Sequence, residues 1–145
     1  METVERHVTL PATSDEVWGL LTRPEDLSAW LGDEVVLDPT PGAAGLVVER
    51  DGSRRSLVVE EVVEGHRLTW RWWREGDDPA ADQSRVEITL SPTDDGTVLR
   101  VVEAPLGGSG PSASVGATPA SASAAWSHRL LHLEALLLLA AAVRG

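Results

Sequence analysis

"SRVEITLSPTDDGTVLRVVEA", residues 84–104, reads as two strands joined by a tight turn. Val86, Ile88 and Leu90 alternate with Arg85, Glu87 and Thr89, the period of two that marks a strand with one buried face. Asp94-Asp95-Gly96 supplies the turn, and Leu99 and Val101 resume the apolar face on the return. Just upstream, "RLTWRWWRE", residues 67–75, keeps the same period. Leu68, Trp70, Trp72 and Arg74 share one face, and Thr69, Arg71 and Trp73 share the other. By analogy with Val86, Ile88 and Leu90, the Leu68 face is the inner one.

Working further outward, "SRRSLVVEEVVEG" (53–65), "AGLVVERDG" (44–52) and "EVVLD" (34–38) are short β-rich pieces separated by turns. Asp51-Gly52 is a hairpin signal. "TVERHVTLP" (3–11) reads as a first strand ended by Pro11, with Val4, Val8 and Leu10 on one face and Arg6 among them. Two helices follow it. "TSDEVWGLL" has Thr13 or Ser14 as cap, with Asp15 and Glu16 at the positive helix end. "RPEDLSAWLG" has Pro24 in its first turn and Gly32 at its end.

The chain closes on "AAWSHRLLHLEALLLLAAAVRG", a long helix. Trp126, Leu130, Leu133, Leu137 and Ala141 form its apolar stripe, with Leu131, Leu138 and Ala142 on the opposite side. Its last turns are apolar nearly all round, more than one sheet can cover. Between the last strand and this helix lies "PLGGSGPSASVGATPASAS", a low-complexity loop over residues 105–123. The order strand, two helices, about six antiparallel strands and a long helix indicates an α+β fold. One domain over residues 1–145 is expected, a curved sheet gripping the last helix.

Composition narrows the chemistry. The 145 residues carry 12 basic and 23 acidic side chains, a formal net charge of −11. That balance repels nucleic acid and anionic membrane surfaces, so neither is an expected partner. The chain has no Cys, which removes disulfides, thiol nucleophiles and thiolate metal sites. It has no Lys, which removes Schiff-base catalysis by a side chain. The longest apolar run, Ala135 to Val143, is nine residues, against the roughly twenty of a membrane span. The charged "METVERHVTL" is not a secretory signal, so a cytoplasmic location is expected. There is also no Phe, Tyr or Asn and only one Ile. These are residues with AT-rich codons, so a GC-rich coding sequence accounts for tryptophan as the sole aromatic.

The segment "LPATSDEVWGLLTRPEDLSAWLG" resembles the opening of the START-like, or SRPBCC, superfamily. "VVEEVVEGHRLTWRW" and "SRVEITLSPTDDGTVLRVVEA" resemble its middle strands. Within it the chain is similar to the bacterial branch named after the activator of the heat-shock chaperone ATPase. The resemblance covers nearly the whole chain except the 105–123 loop. It implies a helix-grip fold, with about seven antiparallel strands wrapped around the C-terminal helix. It also implies a cavity between them that the loop before the helix can gate.

On that reading the ligand-binding candidates are Trp70, Trp72, Val86, Ile88, Leu99 and Val101 on the sheet, facing Trp126, Leu130 and Leu133 on the helix. Tryptophan offers a large apolar face plus one N–H donor that wants a partner. Plain core filling is the competing reading for the same rings. Trp18 and Trp30, at family positions on the short helices, read as structural anchors. Glu103 lies on the face of Leu99 and Val101, and Glu61 matches a glutamate of the family's strand. These two are the candidate catalytic residues, since a carboxylate in an apolar pocket can serve as general acid or base. The competing reading pairs each with an arginine such as Arg6, Arg74 or Arg100. On a regular strand Glu60 and Glu61 face opposite ways, and the pattern leaves open which is inside.

His128 and His132 have the i, i+4 spacing of a metal pair. "HRLLH" lacks the glutamate of H-E-x-x-H and no third ligand is evident, so a solvated helix face is expected and no metal. No Walker, G-x-S-x-G or dinucleotide glycine motif is present, and no cofactor is expected. Three functions stay open: a small hydrophobic-ligand binding protein, a polyketide cyclase- or dehydratase-like enzyme using Glu61 or Glu103, and a protein-interaction or chaperone-associated module. A homodimer through Leu131, Leu138 and Leu139 of the C-terminal helix belongs to the third.

Overall fold

The computed structural model describes residues 3–49, 51–75, 83–106 and 119–144. The chain runs β1 (Val4–Leu10), α1 (Ser14–Thr22), α2 (Pro24–Trp30), β2 (Glu34–Val36), β3 (Ala44–Val48), β4 (Arg54–Val63), β5 (Arg67–Arg74), β6 (Gln83–Thr93), β7 (Gly96–Leu106) and α3 (Pro119–Arg144). The strands form one antiparallel sheet of seven in the order β1-β7-β6-β5-β4-β3-β2. From β2 to β7 each strand pairs with its successor, the cheapest topology for short connections. β1 instead pairs with β7, so α1 and α2 carry the chain from one edge of the sheet to the other.

Local chemistry fixes these elements as expected. The Thr13 hydroxyl caps α1 by accepting the Glu16 N–H at 3.2 Å. Pro24 opens α2. Gly52, at φ +90°, turns the chain between β3 and β4. At Gly96 a Cβ would collide with the Leu10 carbonyl of the neighbouring strand, so only glycine lets β1 approach β7 there. The inner face of the sheet is apolar: Leu57, Val59, Leu68, Trp70, Trp72, Val86, Ile88, Leu99 and Val101 are all buried. α3 lays Trp126, Leu130, Leu133 and Leu137 against that core.

The structure departs from the sequence reading in two places. The low-complexity stretch is shorter than 105–123, because β7 continues to Leu106 and α3 begins at Pro119. Among the described residues the pairing of β7 with β1 ends at Glu103, opposite Val4. Residues 107–118 lie outside the described residues, as do residues 76–82 between β5 and β6. The second departure is in β4. The ladder with β5 shifts between Val59 and Glu61, a β-bulge at Glu60. Two residues then oppose one, and strict alternation is suspended. Glu60 reaches the outer-face Arg85 at 2.7 Å, and Glu61 reaches the outer-face Arg67 at 2.8 Å. Neither glutamate faces inward, so the expected opposition of the two does not hold.

Candidate ligand-binding site

β5 places Trp70 and Trp72 two residues apart on the inner face, and α3 brings Trp126 down onto them. Trp70 and Trp72 meet edge to face with centroids 5.6 Å apart. Trp72 and Trp126 stack with centroids 6.0 Å apart and planes at 28°. Both are ordinary distances for attractive aromatic pairs. The rings of sheet and helix therefore touch directly.

Glu103 sits at the centre of this cluster and is only 4% exposed. Its Oε2 accepts the Trp72 indole N–H at 2.9 Å and the Ser84 hydroxyl at 2.5 Å. Its Oε1 accepts the Trp126 indole N–H at 2.8 Å. The Ser84 oxygen also receives Trp72 Nε1 at 3.1 Å. A buried carboxylate is costly unless its oxygens are satisfied, and here three donors converge on it.

A second layer of charge covers the rings. The Arg129 guanidinium lies 4.7 Å from the Trp126 centroid and 5.2 Å from that of Trp72. Arg55 lies 4.6 Å from the Trp72 centroid. All three distances suit a cation over an indole face. Glu49, in the β3–β4 connection, ties the two cations together. Its Oε1 accepts Arg129 at 2.7 Å and Arg55 at 3.0 Å, and its Oε2 accepts the Ser53 hydroxyl at 3.1 Å. Burial pushes the Arg129 guanidinium below its ordinary pKa, against the pull of Glu49. Polar contacts that fasten α3 include Trp126 to Glu103, Arg129 to Glu49, and the Arg6 Nε of β1 donating to the Ser127 hydroxyl at 3.1 Å.

The remaining sequence candidates fall as follows. Val86, Ile88, Leu99 and Val101 line the inner wall, and Leu130 and Leu133 face them from α3. Trp73 is half-buried on the outer face, opposite Ser56. Trp30 is buried and donates to the Leu20 carbonyl at 2.8 Å, while the half-buried Trp18 packs against the core. Arg100 pairs with Glu5 at 2.8 Å rather than with Glu103. His128 and His132 contact each other at 4.4 Å on the outer side of α3. Among the described residues no three His, Cys, Asp or Glu side chains stand together as a metal site. No helix among them is long and apolar enough to cross a membrane. The sequence reading did not single out Ser84, Glu49, Arg55 or Arg129. Ser84 was legible two residues before Val86 on the same face. Arg129 was legible inside the apolar stripe, three residues after Trp126 and four before Leu133.

A separate groove of about 290 Å³ runs between β1 and α3, lined by Arg6, Val8, Ser127, Leu130, Leu131 and Glu134 among others. β1 is the sheet's edge, and α3 does not cover its inner face fully there. Leu131, which lines it, and Leu138 and Leu139 further along α3 are 63%, 54% and 64% exposed.

A seven-stranded antiparallel sheet curled on a long C-terminal helix, with two short helices after the first strand, is the START-like helix-grip fold. The profile of the Activator of Hsp90 ATPase homolog 1-like protein family matches residues 11–137, and the chain belongs to that family. Solved structures agree. MLL2253 from Mesorhizobium loti superposes with a TM-score of 0.81 at 26% identity, covering 94% of this chain and 96% of that one. DynU16, from the dynemicin biosynthetic locus, superposes with a TM-score of 0.79 at 28% identity over 94% of this chain. This chain spans 47% of DynU16, about half its length. The Aha1 dimer from Colwellia psychrerythraea shares the fold, with a TM-score of 0.74 at 15% identity over 94% of this chain and 96% of that one. A comparison with curated proteins finds no match.

Proposed function

We propose that this protein binds a small, flat, hydrophobic molecule between the inner face of the sheet and α3. The observation that carries this reading is the inner wall itself. Trp70, Trp72 and Trp126 meet there as one indole surface, with a single fully satisfied carboxylate at its centre. Binding sites for apolar molecules have this make-up, apolar and aromatic walls with few placed polar groups. The similarity to DynU16, which comes from a biosynthetic locus, is in keeping with it. Since the rings touch, a ligand must displace one of them. Trp126 is the ring that does not belong to the sheet, and its hold on Glu103 is one hydrogen bond.

An enzyme of the cyclase or dehydratase kind would rest on Glu103, because Glu61 points to the outer face. All three donors around Glu103 are spent on holding the cluster together, so we assign it a structural role. The test is a panel of flat tricyclic hydrocarbons and ketones. Binding raises Tm by about 3–6 °C at ten times Kd and changes the tryptophan emission. A panel that moves neither overturns the reading.

A second reading concerns assembly. We propose that two copies associate through the β1–α3 groove and the exposed leucines beyond it. A twofold contact needs a self-complementary patch. This one is apolar at its centre and carries Arg6 on the strand side and Glu134 on the helix side.

A further inference from the structure

Trp70 is fully buried, with Val59 of β4 and Val86 of β6 beside it on the inner face. Its Nε1 has no hydrogen-bond acceptor, the one such buried side-chain atom among the described residues. The other indoles of the core are all served: Trp72 by Ser84 and Glu103, Trp126 by Glu103, Trp30 by the Leu20 carbonyl. A buried donor left without an acceptor loses its hydration and gains nothing in return. The side chains beside Trp70 on the neighbouring strands are valines, which offer no acceptor. Glu103, the carboxylate of the cluster, is already taken by three donors. No acceptor for Trp70 stands among the described residues, which leaves this donor open to one that a ligand supplies.

We propose that Trp70 is the polar anchor of the ligand site, its indole N–H donating to a carbonyl-type oxygen on a flat, uncharged ligand. This rests on the hydrophobic-ligand reading above and deepens it. An uncharged ligand follows from the pairing of the cluster's charges. Arg55 and Arg129 are engaged by Glu49, so no cation stands ready for an anionic ligand. A cationic ligand would have to displace one of those guanidinium groups from the rings they cover. The oxygen distinguishes the true ligand from a plain hydrocarbon of the same shape, since a site built to donate discriminates against an analogue that cannot accept.

The experiment compares fluorenone with fluorene, one skeleton differing in a C=O for a CH2, by equilibrium dialysis against the protein and its Trp70→Phe variant. The expected result is about tenfold tighter binding of fluorenone to the native protein, or about 1.4 kcal/mol, with the preference erased by Trp70→Phe. Should that variant fold poorly, the Trp70 indole proton of the native protein serves instead. It shifts downfield with fluorenone and not with fluorene. Equal binding of the two compounds, a fluorenone preference that survives Trp70→Phe, or an unmoved Trp70 proton overturns the assignment and leaves the hydrophobic-ligand reading standing. Binding of neither compound overturns both.

Discussion

Glu103 and Glu61 began as equivalent candidates, two glutamates in strands of one sheet, and the structure gives them opposite fates. Glu103 is walled in by two indoles and a serine, whereas Glu61 is an exposed partner of Arg67. Replacing Glu103 by glutamine puts an amide NH2 where an indole N–H or a hydroxyl donates. The expected cost, read by urea unfolding, is about 1–3 kcal/mol. The same change at Glu61 removes only a surface ion pair, expected within about 1 kcal/mol. Equal effects at the two positions would contradict the placement. Alternation alone put Glu103 on the inner face, because β7 runs without interruption from Leu99 through Val101. It could not reveal that the donors would be Trp72, Ser84 and Trp126, which come from three other elements. Nor could it find Glu49, a turn residue whose role depends on β4 and α3 setting Arg55 and Arg129 beside it.

At the scale of elements, the hidden feature was the bulge in β4. "LVVEEVVE" carries one residue more than a regular pairing with β5 would hold, and nothing in its composition says which residue is extra. The register identifies Glu60. Deleting Glu60 would leave Val59 opposite Trp70, Glu61 opposite Thr69 and Val62 opposite Leu68 as a regular ladder. That deletion is therefore expected to fold, at the cost of the exposed Arg85 and Arg71 pairs, about 1 kcal/mol or less. Deleting Val58 moves Leu57 to the wrong face and is expected to unfold the sheet. Circular dichroism melts of the two variants decide it, and similar melts would contradict the assignment of Glu60. The helices were readable from their caps and prolines. The start of α3 was not, because "TPASASAA" gives no apolar stripe before Trp126.

For the whole molecule, the order of elements was legible because each strand keeps its period and each turn its glycine. What the two layers enclose was not, since periodicity says which rings point inward and not whether they meet. Two bulk properties follow from the fold. Arg100 holds the Glu5 carboxyl, and Ser53 the Asp51 carboxyl, below the usual carboxylate range. Their contributions to stability are present at neutral pH and are lost as the pH falls below about 4, so Tm should decline there. A Tm independent of pH in that window would contradict both contacts. The exposed leucines of α3 are expected to give a dimer by light scattering that Leu131→Glu dissociates, and a monomer at high concentration removes the assembly reading. Lodging of a ligand between the sheet and α3 is read at the indole N–H groups that surround it. The most direct measurement is a fluorenone titration followed through the six indole resonances of a 15N-tryptophan-labelled sample. The expected result is movement of Trp70, Trp72 and Trp126 with Trp73 unmoved, and a Trp73 shift in place of those three, or no shift at all, would contradict it.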